Sequence, residues 1–162
     1  GNWAGIDLHR GGLWQGGSES SPLHSKLKYP CIDNEDLAQI YAGAKIVINP
    51  YRYARVAESA NPRTYEVAAC GVFQISEYRR ETEEVFGESV PMYPHGDSDT
   101  LELLIREYLE NGALRRKKAL LAKSRVAPHT FDDRAGRVAE AFNLYKERQR
   151  EAYISQSLLA VV

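Results

Sequence analysis

The sequence predicts an α/β domain, a Rossmann-like parallel sheet with flanking helices. Two observations carry that prediction. Short runs at 45–49 and 72–76 are apolar and β-branched without polar alternation, and helical patterns fall between and after them. A strand that is apolar along its length suits burial on both faces, which is the condition of a parallel sheet covered by helices. With 162 residues the chain can bury a sizeable core of its own.

Residues 1–25 read as an irregular lead-in. Six glycines and the polar run 18–22 favour loop over regular structure, while Trp3 and Trp14 point to a segment that packs on something. Residues 26–150 read as the α/β domain and 151–162 as a C-terminal tail. Residues 26–32 suit an edge strand, because Pro30 cannot donate to a central ladder. Asp33 or Asn34 then caps a helix whose Leu37, Ile40, Tyr41 and Ala44 share a face. KIVIN at 45–49 is a buried strand, and 50–60 a polar loop. Asn61 suits an N-cap, Pro62 the first helical position and Gly71 the position just past the end. VFQIS at 72–76 and VPMY at 90–93 are further strands. Three helices close the chain, over 99–110, about 113–126 and from about 130. The first turns Leu101, Leu104, Ile105 and Tyr108 to one side. The last carries Phe131, Ala135, Val138, Phe142 and Tyr145 as an apolar stripe expected to face the core.

Composition narrows the function. Lys and Arg total 21 against 22 Asp and Glu, a net charge of −1. That balance argues against electrostatic capture of nucleic acid or of an anionic membrane. Two cysteines are too few for a disulfide scaffold or a cysteine-rich zinc site. No apolar run is long enough for a transmembrane segment, and no signal-peptide pattern is present, so a cytoplasmic protein is expected. No clustered His, Asp and Glu suggests a metal, and no cofactor is expected. Cys70, among alanines, reads as a small buried residue and His129 as part of a helix cap at Thr130. The basic run 115–118 reads as a solvated face.

The chemistry concentrates in 49–71. In parallel sheets ligands bind beyond the carboxyl ends of the strands, here the loops 50–60 and 77–80. The loop 50–60 carries Arg52 and Arg55, and the following helix opens with Asn61, Arg63, Thr64 and Glu66. Unpaired N–H groups and the positive dipole end make such a helix start an anion site, which arginines strengthen. Glu66 can accept two hydroxyls, as from a ribose diol, and Glu58 can reach other hydroxyls of the same ligand. Phosphate donors beside hydroxyl acceptors describe a sugar-nucleotide site. The plain alternative is a surface pair of Glu66 with Arg63, three residues apart.

This stretch resembles the nucleotide-binding core of the GT-B-type glycosyltransferases of group 1, in which two Glu separated by seven residues straddle a helix start. Glu58 and Glu66 have that spacing. KIVIN at 45–49, NPRTYE at 61–66, VAACGVFQIS at 67–76 and HTFDDR at 129–134 are closest to the spore-maturation-protein-like branch. The resemblance covers roughly residues 28–150 and implies the C-terminal, donor-binding half of a GT-B fold, lacking its first strand–helix–strand. It implies a hexosyltransferase-type enzyme that uses a nucleotide-sugar donor without a metal. It further implies ribose binding by Glu66, diphosphate binding at Asn61, Arg63 and Thr64 with Arg52 as a weaker contact, and Glu58 as the catalytic carboxylate toward the donor sugar. The Lys or Arg that grips the diphosphate from the opening loop in this family has no clear counterpart. The acceptor site would come from a missing N-terminal glycosyltransferase domain, the partner on which activity depends. The alternatives are a sugar-nucleotide epimerase or phosphorylase of the same architecture, or a non-enzymatic interaction module derived from a truncated enzyme.

Overall fold

A computed structural model of the chain describes residues 10–11, 27–29, 32–51 and 58–159. The chain divides into two compact units, Gly1–Arg125 and Val126–Val162.

The first unit holds the α/β architecture. In chain order its elements are β1 (Arg10–Gly11), β2 (Leu27–Tyr29), α1 (Asn34–Gly43), β3 (Val47–Asn49) and α2 (Pro62–Ala69). There follow β4 (Gln74–Glu77), α3 (Arg80–Phe86), a 3₁₀ turn at Gly87–Ser89, β5 (Met92–Tyr93), α4 (Ser98–Glu110) and α5 (Gly112–Val126). The main sheet runs β3–β4–β5, parallel throughout. Val47, Ile48 and Asn49 stand opposite Gln74, Ile75 and Ser76, and Glu77 stands opposite Tyr93. β4 is therefore central, and all four of its residues are buried.

Side-chain alternation sorts the core onto the two faces of this sheet. Val47 and Val72 pack with Leu37 and Tyr41 of α1 and Val67 of α2. Ile46, Ile48, Phe73 and Ile75 pack on the other side with Leu101, Leu104, Ile105 and Tyr108 of α4 and Ala119 of α5. Phe73 and Tyr108 rings stack tilted, 4.6 Å between centroids. Full burial of a side chain such as Ile75 stabilises the fold by roughly 1.5–3 kcal/mol. The face of α4 expected from its spacing is the face that packs.

α2 begins and ends where its sequence directs. Asn61 Oδ1 accepts the N–H of Thr64 at 3.1 Å, and Pro62 occupies the first turn, where its missing N–H costs nothing. At the other end Gly71 takes a φ of +71°. Its N–H bonds to Ala68 O at 2.9 Å and that of Val72 to Val67 O at 3.2 Å. These two bonds form a Schellman close.

Several expectations are corrected. Within the lead-in expected to be irregular, Arg10–Gly11 form a strand that pairs in parallel with Leu27–Tyr29. Among the described residues that ladder is separate from the main sheet, so the segment 26–32 is not an edge of the latter. α3 was not expected. Its sequence offers few apolar positions, and Arg79 at its N-cap makes no side-chain capping bond. Cys70 is exposed rather than buried, because as C-cap of α2 it lies past Val67 and Ala68, which carry the inward face.

The second unit is dominated by α6 (Phe131–Leu159), which continues without a break through residue 150. Thr130 caps it: Thr130 Oγ1 accepts the N–H of Asp133 at 3.1 Å and donates to Asp133 Oδ2 at 2.6 Å. Its apolar stripe is not core. Phe131 is 86% exposed and Phe142 57%, with Val138 and Tyr145 also exposed. A four-three spacing identifies which face of a helix is apolar, but within its own unit α6 has no second element among the described residues against which to bury it.

Candidate functional site

The expected location is the carboxyl edge of the sheet, and there the chain builds a polar network around the start of α2. Asn49 ends β3 fully buried. Its amide and that of Asn61 exchange two hydrogen bonds, Asn49 Nδ2 to Asn61 Oδ1 and Asn61 Nδ2 to Asn49 Oδ1, each 3.0 Å. Asn49 Nδ2 also donates to Thr64 Oγ1 at 2.7 Å. Thr64 Oγ1 in turn donates to Asn61 Oδ1 at 3.2 Å and lies 3.3 Å from the Tyr51 hydroxyl. The N–H of Asn61 donates to that same tyrosine hydroxyl at 2.9 Å. Thr64 is thus fully buried and its hydroxyl is occupied by the protein itself. Its side chain fixes the helix start.

The network decides which groups remain for a ligand. Pro62 has no N–H and Asn61 takes that of Thr64. This leaves the N–H of Arg63 as the first-turn donor with no bond among the described residues. The Arg63 side chain is exposed, with Nη1 reaching back to Asn49 Oδ1 at 3.5 Å. It also lies beside Tyr41. Burial pushes the Tyr41 hydroxyl above its usual range, the Arg63 guanidinium pulls it down, and the Glu66 carboxylate pushes it up again. Glu66 is exposed one turn on, and it forms no ion pair with Arg63. The surface-pair alternative for these two residues is therefore not the arrangement found.

Glu58 lies apart from this network. It is exposed and pairs with Arg80 Nη1 at 3.3 Å, while its carbonyl accepts the N–H of Glu81. Glu81 ties the loop end to α2: its carboxylate takes the N–H of Ala60 at 2.8 Å and the hydroxyl of Tyr65 at 2.5 Å. Arg52 and Arg55 lie outside the described residues.

A second cluster, which the sequence did not single out, stands beside the first. Glu77, the last residue of β4, is buried and accepts from Arg79 Nη2 at 3.1 Å and from the N–H of Tyr51 at 3.4 Å. Its Oε1 also meets His95 Nδ1 at 2.8 Å. Arg79 is buried with it, its guanidinium 3.8 Å over the Tyr51 ring. Burial and the nearby Glu77 raise the Tyr93 hydroxyl to about 12, with Arg79 opposing. Tyr51 therefore joins the two clusters, with its backbone and ring on Glu77 and Arg79 and its hydroxyl on Asn61 and Thr64. The loop 77–80 was marked by its place after a strand. A charged residue at the end of an apolar run was the available signal for Glu77.

An exposed cation and a backbone donor at a helix start, with a carboxylate one turn further that has no ion pair among the described residues, sit on the carboxyl edge of a parallel sheet. The fold is of the Rossmann-like α/β class, in which that edge is where ligands bind. Residues 6–140 match the glycosyl transferase-like family, and the chain belongs to it. Its fold is that of the GT-B glycosyltransferases. It is similar to sucrose-phosphate synthase from Thermosynechococcus elongatus, with a TM-score of 0.66 at 22% identity. That match covers 78% of this chain and 32% of the synthase chain, so the domain corresponds to about a third of its neighbour's length. No curated protein matches the chain. No helix among the described residues is long and apolar enough to cross a membrane.

Proposed function

We propose that this domain binds the nucleotide-sugar donor of a glycosyl transfer. The observation that supports this best is Glu66, an exposed carboxylate with no ion pair among the described residues, one turn beyond the start of α2 and beside the exposed guanidinium of Arg63. In this reading Arg63, through its side chain and its N–H, holds the diphosphate, and Glu66 accepts the ribose hydroxyls. Asn61 and Thr64 act by holding the helix start in place, and Arg52 adds a phosphate contact. Glu58, paired with Arg80 at the exposed end of its loop, is the carboxylate of the sugar side.

The reaction forms a bond between an acceptor oxygen and the anomeric carbon. The bond from that carbon to the diphosphate oxygen breaks, its electron pair leaves with the diphosphate, and the acceptor hydroxyl loses its proton. Negative charge grows on the leaving group, and a fixed guanidinium and N–H aimed at it lower the barrier. The nucleotide-sugar is substrate, and the reading assigns no separate cofactor or metal. The acceptor site belongs to an N-terminal glycosyltransferase domain, in keeping with a fold neighbour of which this chain matches only 32%.

Calorimetric titration with UDP, GDP and ADP tests the reading. One of the three should bind, and Glu66→Ala should weaken it about tenfold or more, which corresponds to roughly 1.4 kcal/mol. Equal binding by the variant overturns the assignment of Glu66.

A further inference from the structure

At the opposite, amino edge of the same sheet lies an open recess of about 330 Å³. Lys45, Val72 and Phe73, which precede β3 and β4, form its floor, and Gly112, Arg115 and Arg116 at the start of α5 form its wall. The basic run 115–118 does not act as one solvated face. Lys118 Nζ turns away to the carbonyl of Glu88, whereas Arg115 and Arg116 line the recess. Arg115 is held in place, with Nη1 donating to the carbonyls of Tyr108 and Leu109 at the end of α4. Both guanidinium groups crowd the Cα of Gly112: a Cβ there would stand 3.4 Å from Arg115 Nη2 and 3.6 Å from Arg116 Nη1. At Gly71, which also lines the recess, a Cβ would stand 3.8 Å from Nζ of Lys123, a residue just outside the lining.

Three cations, Lys45, Arg115 and Arg116, thus line one cavity, and Lys123 stands beside its Gly71 edge; among the described residues the lining contains no carboxylate and none of the four cations forms an ion pair. Other cations on this domain have carboxylate partners, Arg79 with Glu77, Arg80 with Glu58 and Glu84, and Arg106 with Glu102. In a chain of net charge −1, this unmatched cluster is a local feature. Guanidinium forks beside ammonium groups suit the oxygens of a phosphate. The size falls at the lower end of the roughly 300–1,000 Å³ of small-ligand sites. We propose that this recess binds the phosphate group of a small phosphorylated ligand or lipid headgroup. It is a second site, at the other end of the strands from α2, and it does not depend on the donor-site proposal.

The test is a titration of the ¹⁵N-labelled chain with inorganic pyrophosphate, read at the amides of Gly71 and Gly112. A parallel arm measures cosedimentation with phosphatidylcholine vesicles with and without phosphatidylglycerol. Three proteins are compared: the parent, Lys45→Glu/Arg116→Glu and Arg63→Ala. Lys45 and Arg116 are exposed, so the double variant should keep the parent's overall spectrum. Saturable shifts at both glycines in the parent and in Arg63→Ala, with an affinity at least tenfold weaker in the double variant, support the site with a soluble ligand. Vesicle binding that needs both phosphatidylglycerol and the two cations supports it with a lipid headgroup. Absence of both responses, an equal response of the double variant, or unsaturable shifts spread over the surface lysines overturn the proposal.

Discussion

Glu77 and Arg79 carry opposite charges into a site from which water is almost wholly excluded, 3.1 Å apart. Desolvating two ions is expensive, and their mutual attraction recovers much of that cost. Glu77→Gln should therefore lower stability by up to about 3–5 kcal/mol, because the buried Arg79 charge would lose the Glu77 carboxylate. Adding Arg79→Met to Glu77→Gln should recover part of that loss. Urea denaturation of the two variants measures both, and a Glu77→Gln cost below about 1 kcal/mol would show that the pair is not what holds the loop. At this scale the sequence revealed Asn61, whose role follows from local chain geometry and the Pro62 beside it. It did not reveal Asn49, Tyr51, Glu77 or Arg79. Asn49 and Tyr51 meet their partners across ten to twenty-eight positions of sequence, Glu77 and Arg79 matter through the burial that Tyr51 helps give them, and residue type alone carries no sign of either.

Among the elements, α2 decides the geometry of the site, and its far end can be tested as cleanly as its start. Gly71 sits at a φ of +71°, where a Cβ costs roughly 1–2 kcal/mol, and the two closing bonds to Ala68 and Val67 depend on that conformation. Gly71→Ala should destabilise by about that amount. The added methyl would meet only the flexible Lys123 side chain at 3.3 Å, so the cost is one of backbone conformation. A midpoint in urea unchanged from the parent would remove the left-handed close from the account. Elements with local punctuation were legible in this way: the Asn-Pro start, the glycine stop, and the spacing of α4. α3 has little punctuation and was missed. The stripe of α6 was found but its burial was not, since periodicity describes one surface and burial requires two.

For the whole molecule the charge balance has a kinetic consequence. The 21 basic and 22 acidic residues leave a net charge of −1, so no overall field draws an anionic ligand to the domain. If a nucleoside diphosphate is held at Arg63 and the start of α2, capture is by contact with a few groups, after an encounter governed by plain diffusion. Salt screens charges separated by more than the Debye length, about 10 Å at 0.1 M, and acts much less on partners in direct contact. The association rate of the nucleotide should then change by less than about threefold as salt rises from about 0.05 to about 0.5 M, where steered encounters fall steeply. Salt effects on affinity should appear mainly in dissociation. Stopped-flow measurement on the parent and on Arg63→Ala separates the two rates: the variant should release the nucleotide faster while binding at a similar rate. A steep fall in the parent's association rate with salt would mean that a local field does reach beyond contact. A cluster of cations without ion pairs among the described residues lies near Gly71 and Gly112, so Lys45→Glu/Arg116→Glu would then be expected to abolish the dependence.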